Sequence, residues 1–173
     1  YLLSGTSTDG RTSNEDELIF KGDTDIYIAD IRYTWAPTGN ARQSELILQG
    51  EYFWRNEDGT YEDTAAATGE VAYDDSTSGW YAQAVYKFHP SWRIGARYSE
   101  LNSSDVPVGL SGSILDSEGF DPKVYTGMVD FTNSEFSRIR VQYNNEELQR
   151  GQKDDQFLVQ YIMSIGAHGA HKF

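Results

Sequence analysis

The sequence predicts an all-β protein: an antiparallel up-and-down transmembrane β-barrel, of which residues 1–173 form a single domain with about seven full strands and a partial first strand. Three observations lead to this fold class. Apolar and polar residues alternate along seven segments, short and long connections follow one another, and aromatic residues stand at both ends of the apolar stripes. A spanning strand needs only about 9–11 residues, so a mean hydropathy of −0.61 is compatible with this fold.

Seven segments show the period-2 alternation of a strand with one apolar face. In the segment 80–88 the even positions are Trp, Ala, Ala, Tyr and Phe, whereas the odd positions include Gln83 and Lys87. Residues 1–4 are interpreted as the end of the partial first strand. The seven full predicted strands are 25–35, 44–54, 80–88, 92–98, 125–131, 137–143 and 157–173.

The connections between these strands differ in length in a regular way. Transmembrane barrels have short periplasmic turns and longer extracellular loops, and counting back from the C-terminus places every short connection on the periplasmic side. The short connections are 37–40, 89–91 and 132–135, and the long polar ones are about 5–16, 56–78, 100–121 and 144–155.

Aromatic residues lie near both ends of the apolar stripes, as in the two girdles that flank a lipid-facing band. Between Trp80 and Phe88 a strand advances roughly 26 Å at about 3.3 Å per residue, which suits such a band. The predicted girdle residues are Trp35, Trp54, Trp80, Phe88, Trp92, Tyr98, Tyr125, Phe131, Tyr143 and Phe173.

Periodicity alone is also compatible with a soluble antiparallel sandwich or a lipocalin-like barrel, in which the apolar residues face inward. Three features favour the membrane: the asymmetry between turns and loops, the aromatic layers, and the Ala and Gly residues inside the apolar stripe. A packed soluble core takes larger side chains at such positions.

The polar residues of the strands would line the interior of a barrel, so they are the candidate functional residues. Four arginines on neighbouring strands form a basic ladder of the kind that tunes ion selectivity in pores. The alternative is that the charges pair across strands and fill the lumen. The predicted lumen-lining residues are Arg32, Glu45, Gln49, Glu51, Lys87, Arg93, Arg97, Asp130, Arg138, Arg140 and Gln142.

Composition argues against several other classes. With 27 acidic and 14 basic residues, the chain lacks the basic footprint of a nucleic-acid partner. It has no cysteine, no phosphate-binding or dinucleotide motif and no nucleophile elbow, so neither an enzyme nor a cofactor is predicted. His168 and His171 would point to opposite faces of a strand, so no metal site is predicted.

Four stretches resemble the C-terminal part of a family of proteobacterial porin-like proteins, often labelled TonB-dependent or zinc-regulated outer-membrane receptors. They read YTWAPTGNARQSELILQGEYFWRNEDG, WYAQAVYKFHPSWRIGARY, DPKVYTGMVDFTNSEFSRIRVQYN and DDQFLVQYIMSIGAHGAHKF. The final alternation also resembles an outer-membrane sorting signal, matched at Tyr161, Met163, Ile165 and Phe173. The resemblance implies a C-terminal portion of a barrel whose other strands lie upstream.

Residues and resemblance together predict a porin-like channel in the outer membrane of a Gram-negative bacterium, for passive or gated passage of small solutes or ions. Two alternatives remain: a structural or binding barrel with a filled lumen, whose acidic extracellular loops contact a partner or cations, and a TonB-linked metal-uptake receptor. The expected partners are outer-membrane lipid and lipopolysaccharide, the barrel-assembly machinery through the C-terminal strand, and other envelope proteins, with no nucleic acid.

Overall fold

The computed structural model describes residues 1–12, 18–113, 115–134 and 136–164. This part of the chain is all-β, apart from one short 3-10 helix at Val108–Leu110, and it contains no helix long and apolar enough to cross a bilayer. The strands are β1 (Leu2–Thr12), β2 (Leu18–Trp35), β3 (Glu45–Asp63), β4 (Glu70–His89), β5 (Trp92–Asn102), β6 (Lys123–Ser134), β7 (Ser137–Gln149) and β8 (Gln152–Met163).

The eight strands form one sheet in sequence order, and each pairs antiparallel with the next. This arrangement confirms the predicted all-β, up-and-down architecture. Among the described residues β1 and β8 have one neighbour each, so the sheet is open at both edges. We call the end with the connections 36–44, 90–91 and 135–136 the turn end, and the opposite end the loop end.

The strands are longer than predicted, and they extend at the loop end. Most of 56–78, predicted as a loop, is a hairpin of β3 and β4 that turns at 64–69. β7 and β8 likewise close most of 144–155, and β1, with 11 residues, is a full strand rather than a partial one. These extensions lack a continuous apolar stripe, which is why periodicity missed them. The predicted strand residues 165–173 lie outside the described part of the chain.

Alternate residues of the strands lie on two chemically different faces. The apolar face carries a row of residues that lie directly opposite one another on seven neighbouring strands. The row consists of Tyr33, Leu48, Ala84, Ala96, Gly127, Tyr143 and Phe157. The polar face carries the adjacent row: Arg32, Gln49, Gln83, Arg97, Thr126, Asn144 and Gln156.

Burial is inverted relative to a soluble sheet protein. On the apolar face, Ile31 is 71% exposed, Val159 75% and Val129 41%. Many side chains of the polar face, such as Gln83 and Arg140, are half-buried instead. The polar face is therefore the enclosed side of the central sheet, and the alternative orientation with an inward apolar core, typical of a soluble sandwich, does not occur among the described residues of this central part.

A small apolar cluster lies at the loop end, on the same side of the sheet as the polar face. Phe20, Tyr61 and Tyr73 come from β2, β3 and β4, and their neighbouring rings stand 4.8 and 5.0 Å apart. Leu110, from the 3-10 helix in the connection between β5 and β6, packs onto them and is fully buried. The connection 103–122, which covers most of the external loop predicted at about 100–121, thus folds back over the strand extensions.

Two paired glycines bring β2 and β3 unusually close beside this cluster. Gly22 lies directly opposite Gly59 and has a φ of +152°. A Cβ atom on Gly59 would stand 2.2 Å from the carbonyl oxygen of Lys21 and 2.7 Å from the Cα of Gly22. Since backbone atoms cannot move aside as a flexible side chain can, this close approach of the two strands requires glycine.

Candidate functional site on the polar face

All eleven predicted lumen-lining residues lie on the polar face, because the pairing register keeps their parity constant from β2 to β7. Five of them form one row, which we call the ionic row: Glu45, Lys87, Arg93, Asp130 and Arg140. Residues directly opposite each other on neighbouring strands have Cβ atoms about 5 Å apart, close enough for charges to interact. The ionic row therefore joins five strands near the turn end.

Asp130 is the centre of this row. Its carboxylate accepts hydrogen bonds from Arg93 Nη2 at 2.6 Å, and from Arg140 Nε and Nη2 at 2.7 and 3.1 Å. Arg138 adds a third guanidinium, with Nη1 3.8 Å from Asp130 Oδ2. Asp130 is 0% exposed, so three arginines enclose a single buried carboxylate. We call these four residues the Asp130 cluster; it carries a surplus of positive charge.

The predicted basic ladder is thus divided into two parts. Arg93, Arg138 and Arg140 belong to the Asp130 cluster, whereas Arg97 lies two rows of the polar face nearer the loop end than the ionic row and places its guanidinium 3.7 Å from the centre of the Tyr81 ring. Within the described residues, Arg97 has no carboxylate in ion-pair range. An exposed arginine over an aromatic face gains about 0.5–1 kcal/mol and keeps its charge available to solution.

Amide side chains surround Tyr81 and fix its position. Gln49 donates from Nε2 to the Tyr81 hydroxyl at 3.0 Å and to Glu51 at 3.3 Å. Gln83 donates in turn to Gln49 Oε1 at 3.2 Å. This network fixes the aromatic platform on which Arg97 rests.

The remaining predicted residues are at the margins of this arrangement. Lys87 donates to the Ala41 carbonyl at 2.9 Å and lies 3.9 Å from Glu45, so its charge is matched near the turn. Gln142 donates to Asn144 Oδ1 at 3.0 Å. Arg32 is exposed and has no ion-pair partner in the described part of the chain. Charge pairing across strands is therefore correct for the ionic row but not for Arg32 and Arg97.

Three cavities follow one another along the polar face. The loop-end cavity, about 670 Å³, is lined by apolar side chains such as Phe53, Leu101 and Val124, and reaches Arg97. The middle cavity, about 390 Å³, also touches Arg97 and extends to Arg140. The turn-end cavity, about 400 Å³, is lined by Lys87, Pro90, Arg93, Thr132, Ser137, Arg138, Ile162 and Ser164.

Nine of the ten predicted girdle residues are described, and all nine lie on the apolar face. Near the loop end, Tyr98 packs against Trp80 and Tyr125 with ring centroids 5.3 and 4.8 Å apart. At the turn end, Trp92 and Phe131 are 4.8 Å apart. The tenth, Phe173, lies outside the described residues.

Sequence reasoning missed two functional features of this face. Tyr81, on whose ring Arg97 lies, occupies an odd position of β4 and therefore shares the polar face with Gln83 and Lys87. Its odd position in the sequence could have indicated this. Glu57, predicted as a solvated loop residue, is instead a buried strand residue that accepts hydrogen bonds from Thr24 at 3.2 Å and Tyr61 at 2.8 Å and pairs with Arg55. The parity of Phe53 and Arg55 continues through Glu57 and could have revealed it.

Among the described residues, no group of three or more His, Cys, Asp or Glu side chains is placed to hold a metal ion. His168 and His171 lie outside these residues, so the sequence expectation for them stays a prediction.

Comparison with known proteins identifies a relative of this chain. No family model matches the chain, and no solved structure matches it. An uncharacterised protein of Aquifex aeolicus (strain VF5) is 31% identical over 178 residues, an alignment that covers 100% of this chain and 36% of the relative. The chain therefore spans about a third of the length of the protein that it matches, and the resemblance to TonB-dependent receptors stays a prediction.

Proposed function

We propose that this chain forms part of the wall of an outer-membrane β-barrel in a Gram-negative bacterium, and that the barrel is a porin-like channel for small solutes or ions. One observation carries the proposal: the large apolar side chains of the central sheet are exposed on one face, while the charged and amide side chains occupy the enclosed face.

The free energy of solvation explains why this arrangement points to lipid. Exposed apolar surface costs about 25 cal/mol per Å² in water but nothing in hydrocarbon. Ile31, Ile94 and Val159 belong to one such continuous surface. A surface of this extent on a soluble protein would be covered by another layer, whereas aromatic rows at its two ends are typical of a lipid-facing band.

The polar face supplies a route for solutes. Its three cavities are arranged from the loop end to the turn end, and Arg97 borders the first two. Arg97 and Arg32 keep charges that no carboxylate in the described residues neutralises. Charges of this kind on a pore wall bias the passage of ions.

Reconstitution of the full-length protein in planar bilayers tests the proposal. We expect discrete conductance steps, and we expect Arg97→Gln to shift the reversal potential in a salt gradient. Arg42→Gln is the matched control, because Arg42 lies exposed in the connection between β2 and β3 rather than on the polar face. A folded barrel without conductance would contradict the channel.

A second candidate, a barrel with a filled lumen that binds a partner through its loops, is favoured by one specific observation. Residues 103–122 cover the polar side of the strand extensions, where Leu110 is buried. If this cover closes the pore permanently, the full-length protein gives no conductance even after Leu110→Ala. Conductance that appears or increases in this variant supports a channel with a displaceable loop.

A further inference from the structure

The turn-end cavity has a chemistry that the proposed channel does not by itself explain. Three guanidinium groups of the Asp130 cluster face one carboxylate, so two positive charges remain unbalanced. The neighbouring carboxylate in the ionic row, Glu45, is already matched by Lys87. A cluster with this surplus, whose arginines are 25–31% exposed, favours an added anion.

Arg138 is the residue whose binding capacity is unused. The nearest carboxylate contact of its guanidinium, 3.8 Å to Asp130, is too long for a hydrogen bond, and the guanidinium makes no hydrogen bond to another described residue. Its Nε atom is buried without a partner, as is the Nε of Arg93. Buried donors without acceptors are unfavourable because they lose their hydrogen bonds to water, so such a group calls for a ligand or another partner.

The surroundings of Arg138 match an oxyanion. The cavity of about 400 Å³ is lined by Arg93, Arg138 and Lys87, together with the hydroxyl-bearing residues Thr132, Ser137 and Ser164. A guanidinium presents its donors as a fork that fits two oxygens of a carboxylate or phosphate, and a hydroxyl can donate to a third. A hydrogen bond of 2.6 Å to Asp130 holds the guanidinium of Arg93, so the donors around the cavity are partly pre-oriented.

We propose that the turn-end cavity is a binding site for a small oxyanion, a carboxylate or a phosphate, held by Arg138 with Arg93 and Lys87. The ligand reaches it along the polar face, and in this respect the inference rests on the proposed function. It narrows the solutes of the channel to anions of small size. Occupation would neutralise part of the surplus charge and give the Arg138 guanidinium an acceptor, which the described residues do not supply.

Calorimetric titration of the full-length folded protein in detergent, with inorganic phosphate and separately with acetate, tests this site. We expect saturable binding of at least one of the two anions, weakened at least 10-fold in Arg138→Gln. Arg138→Lys keeps the charge without the fork and should recover only part of the affinity. Arg32→Gln is the matched control on the same face and should change affinity less than twofold.

The outcomes separate this inference from the channel itself. A barrel that conducts but binds neither anion overturns the site and leaves the channel intact, whereas a barrel that binds without conducting keeps the site and removes the channel. Equal losses in Arg138→Gln and Arg32→Gln would overturn the assignment to this cavity. If Arg138→Gln does not fold, the wild-type protein still decides, since bound phosphate or acetate must raise its unfolding temperature.

Discussion

Asp130 and Arg140 face each other directly across β6 and β7, and two hydrogen bonds of 2.7 and 3.1 Å join the carboxylate to the guanidinium. The same carboxylate accepts a hydrogen bond from Arg93 on β5. A single buried acid thus connects three consecutive strands on the polar face of the sheet. Its removal leaves three cations close together.

Asp130→Asn is expected to lower the free energy of unfolding by about 3 kcal/mol, because the partners of a buried charge are left uncompensated. Breaking a buried ion pair costs about 3–5 kcal/mol. The arginines are 25–31% exposed, so we expect a value at the lower end of this range. Urea unfolding of the refolded protein in lipid vesicles measures the change. Asp30→Asn, on the same face but exposed, should shift it by less than about 0.5 kcal/mol; equal effects would contradict the central role of Asp130.

All four tryptophans lie on the apolar face, so their fluorescence reports on contact with lipid. In a variant with Trp54 as its single tryptophan, brominated lipids should quench the emission strongly. A second variant carries its single tryptophan at position 53 through Phe53→Trp, one residue along β3 and on the polar face, and should be quenched severalfold less. Similar quenching in both would show that the apolar face does not meet hydrocarbon.

Gly59→Ala should destabilise the protein by about 2 kcal/mol, since the new methyl group meets the backbone of Lys21 and Gly22 and forces β2 and β3 apart. Gly127→Ala provides the comparison: an added Cβ there has no atom within 4 Å. We expect Gly127→Ala to be neutral or slightly stabilising in the same unfolding assay. Tolerance of alanine at 59 would mean that the close approach of the two strands is not required.

Leu110→Ala removes the buried side chain that holds residues 103–122 against Phe20 and Tyr61. Loss of a fully buried leucine costs about 3 kcal/mol, so the open form of this loop should become roughly 100-fold more populated. Limited chymotrypsin digestion under native conditions detects this as faster cleavage near Phe120. Val108→Ala, in the same 3-10 helix but 94% exposed, should leave the cleavage rate unchanged.

Asp116 makes the fold of this loop sensitive to acid. The backbone N–H groups of Gly112 and Glu118 donate to its carboxylate at 2.8 and 2.9 Å, and these bonds lower the pKa of Asp116 below its ordinary 3.8. A lowered pKa means that the carboxylate stabilises the loop above pH 3.8 and that this contribution is lost as the pH falls through the pKa of the folded state.

Peptic cleavage of the loop between about pH 5 and pH 2.5 checks this dependence. We expect the wild type to be cut more slowly than Asp116→Asn at the upper end, and the ratio of the two rates to approach one as the pH falls. The ratio cancels the pH dependence of pepsin itself. Asp105→Asn, an exposed residue of the same connection, should match the wild type throughout, and a ratio that stays constant over the range would contradict the role of Asp116.

The sequence predicted the two faces correctly because side-chain direction alternates strictly along a strand. The parity of Gln83 and Lys87 in one strand and of Arg138 and Arg140 in another was enough to place them on one side. Their partners could not be predicted in the same way. That Asp130 meets Arg93 and Arg140 depends on the register between β5, β6 and β7, and one shifted pair would have moved it to other neighbours.

The strand extensions were missed for a different reason. Beyond the aromatic rows, both faces of β3 and β4 carry polar residues, and the alternation of apolar and polar side chains that identifies a half-buried strand disappears. Glu57 becomes buried only because Thr24 on the neighbouring strand β2 and Tyr61 four residues along β3 both donate hydrogen bonds to its carboxylate. Leu110 becomes a core residue only because a distant connection folds back. Such contacts depend on tertiary structure, which local patterns do not record.

The two open edges of the sheet, formed by β1 and β8, have a consequence for the proposed location. In the described part of the chain, Leu2–Thr12 and Gln152–Met163 each leave one row of main-chain amides and carbonyls without a strand to bind. In hydrocarbon, every such unsatisfied group costs several kcal/mol. An outer-membrane position therefore requires that additional β-strands, from the same polypeptide or from another, form hydrogen bonds with both edges of the sheet.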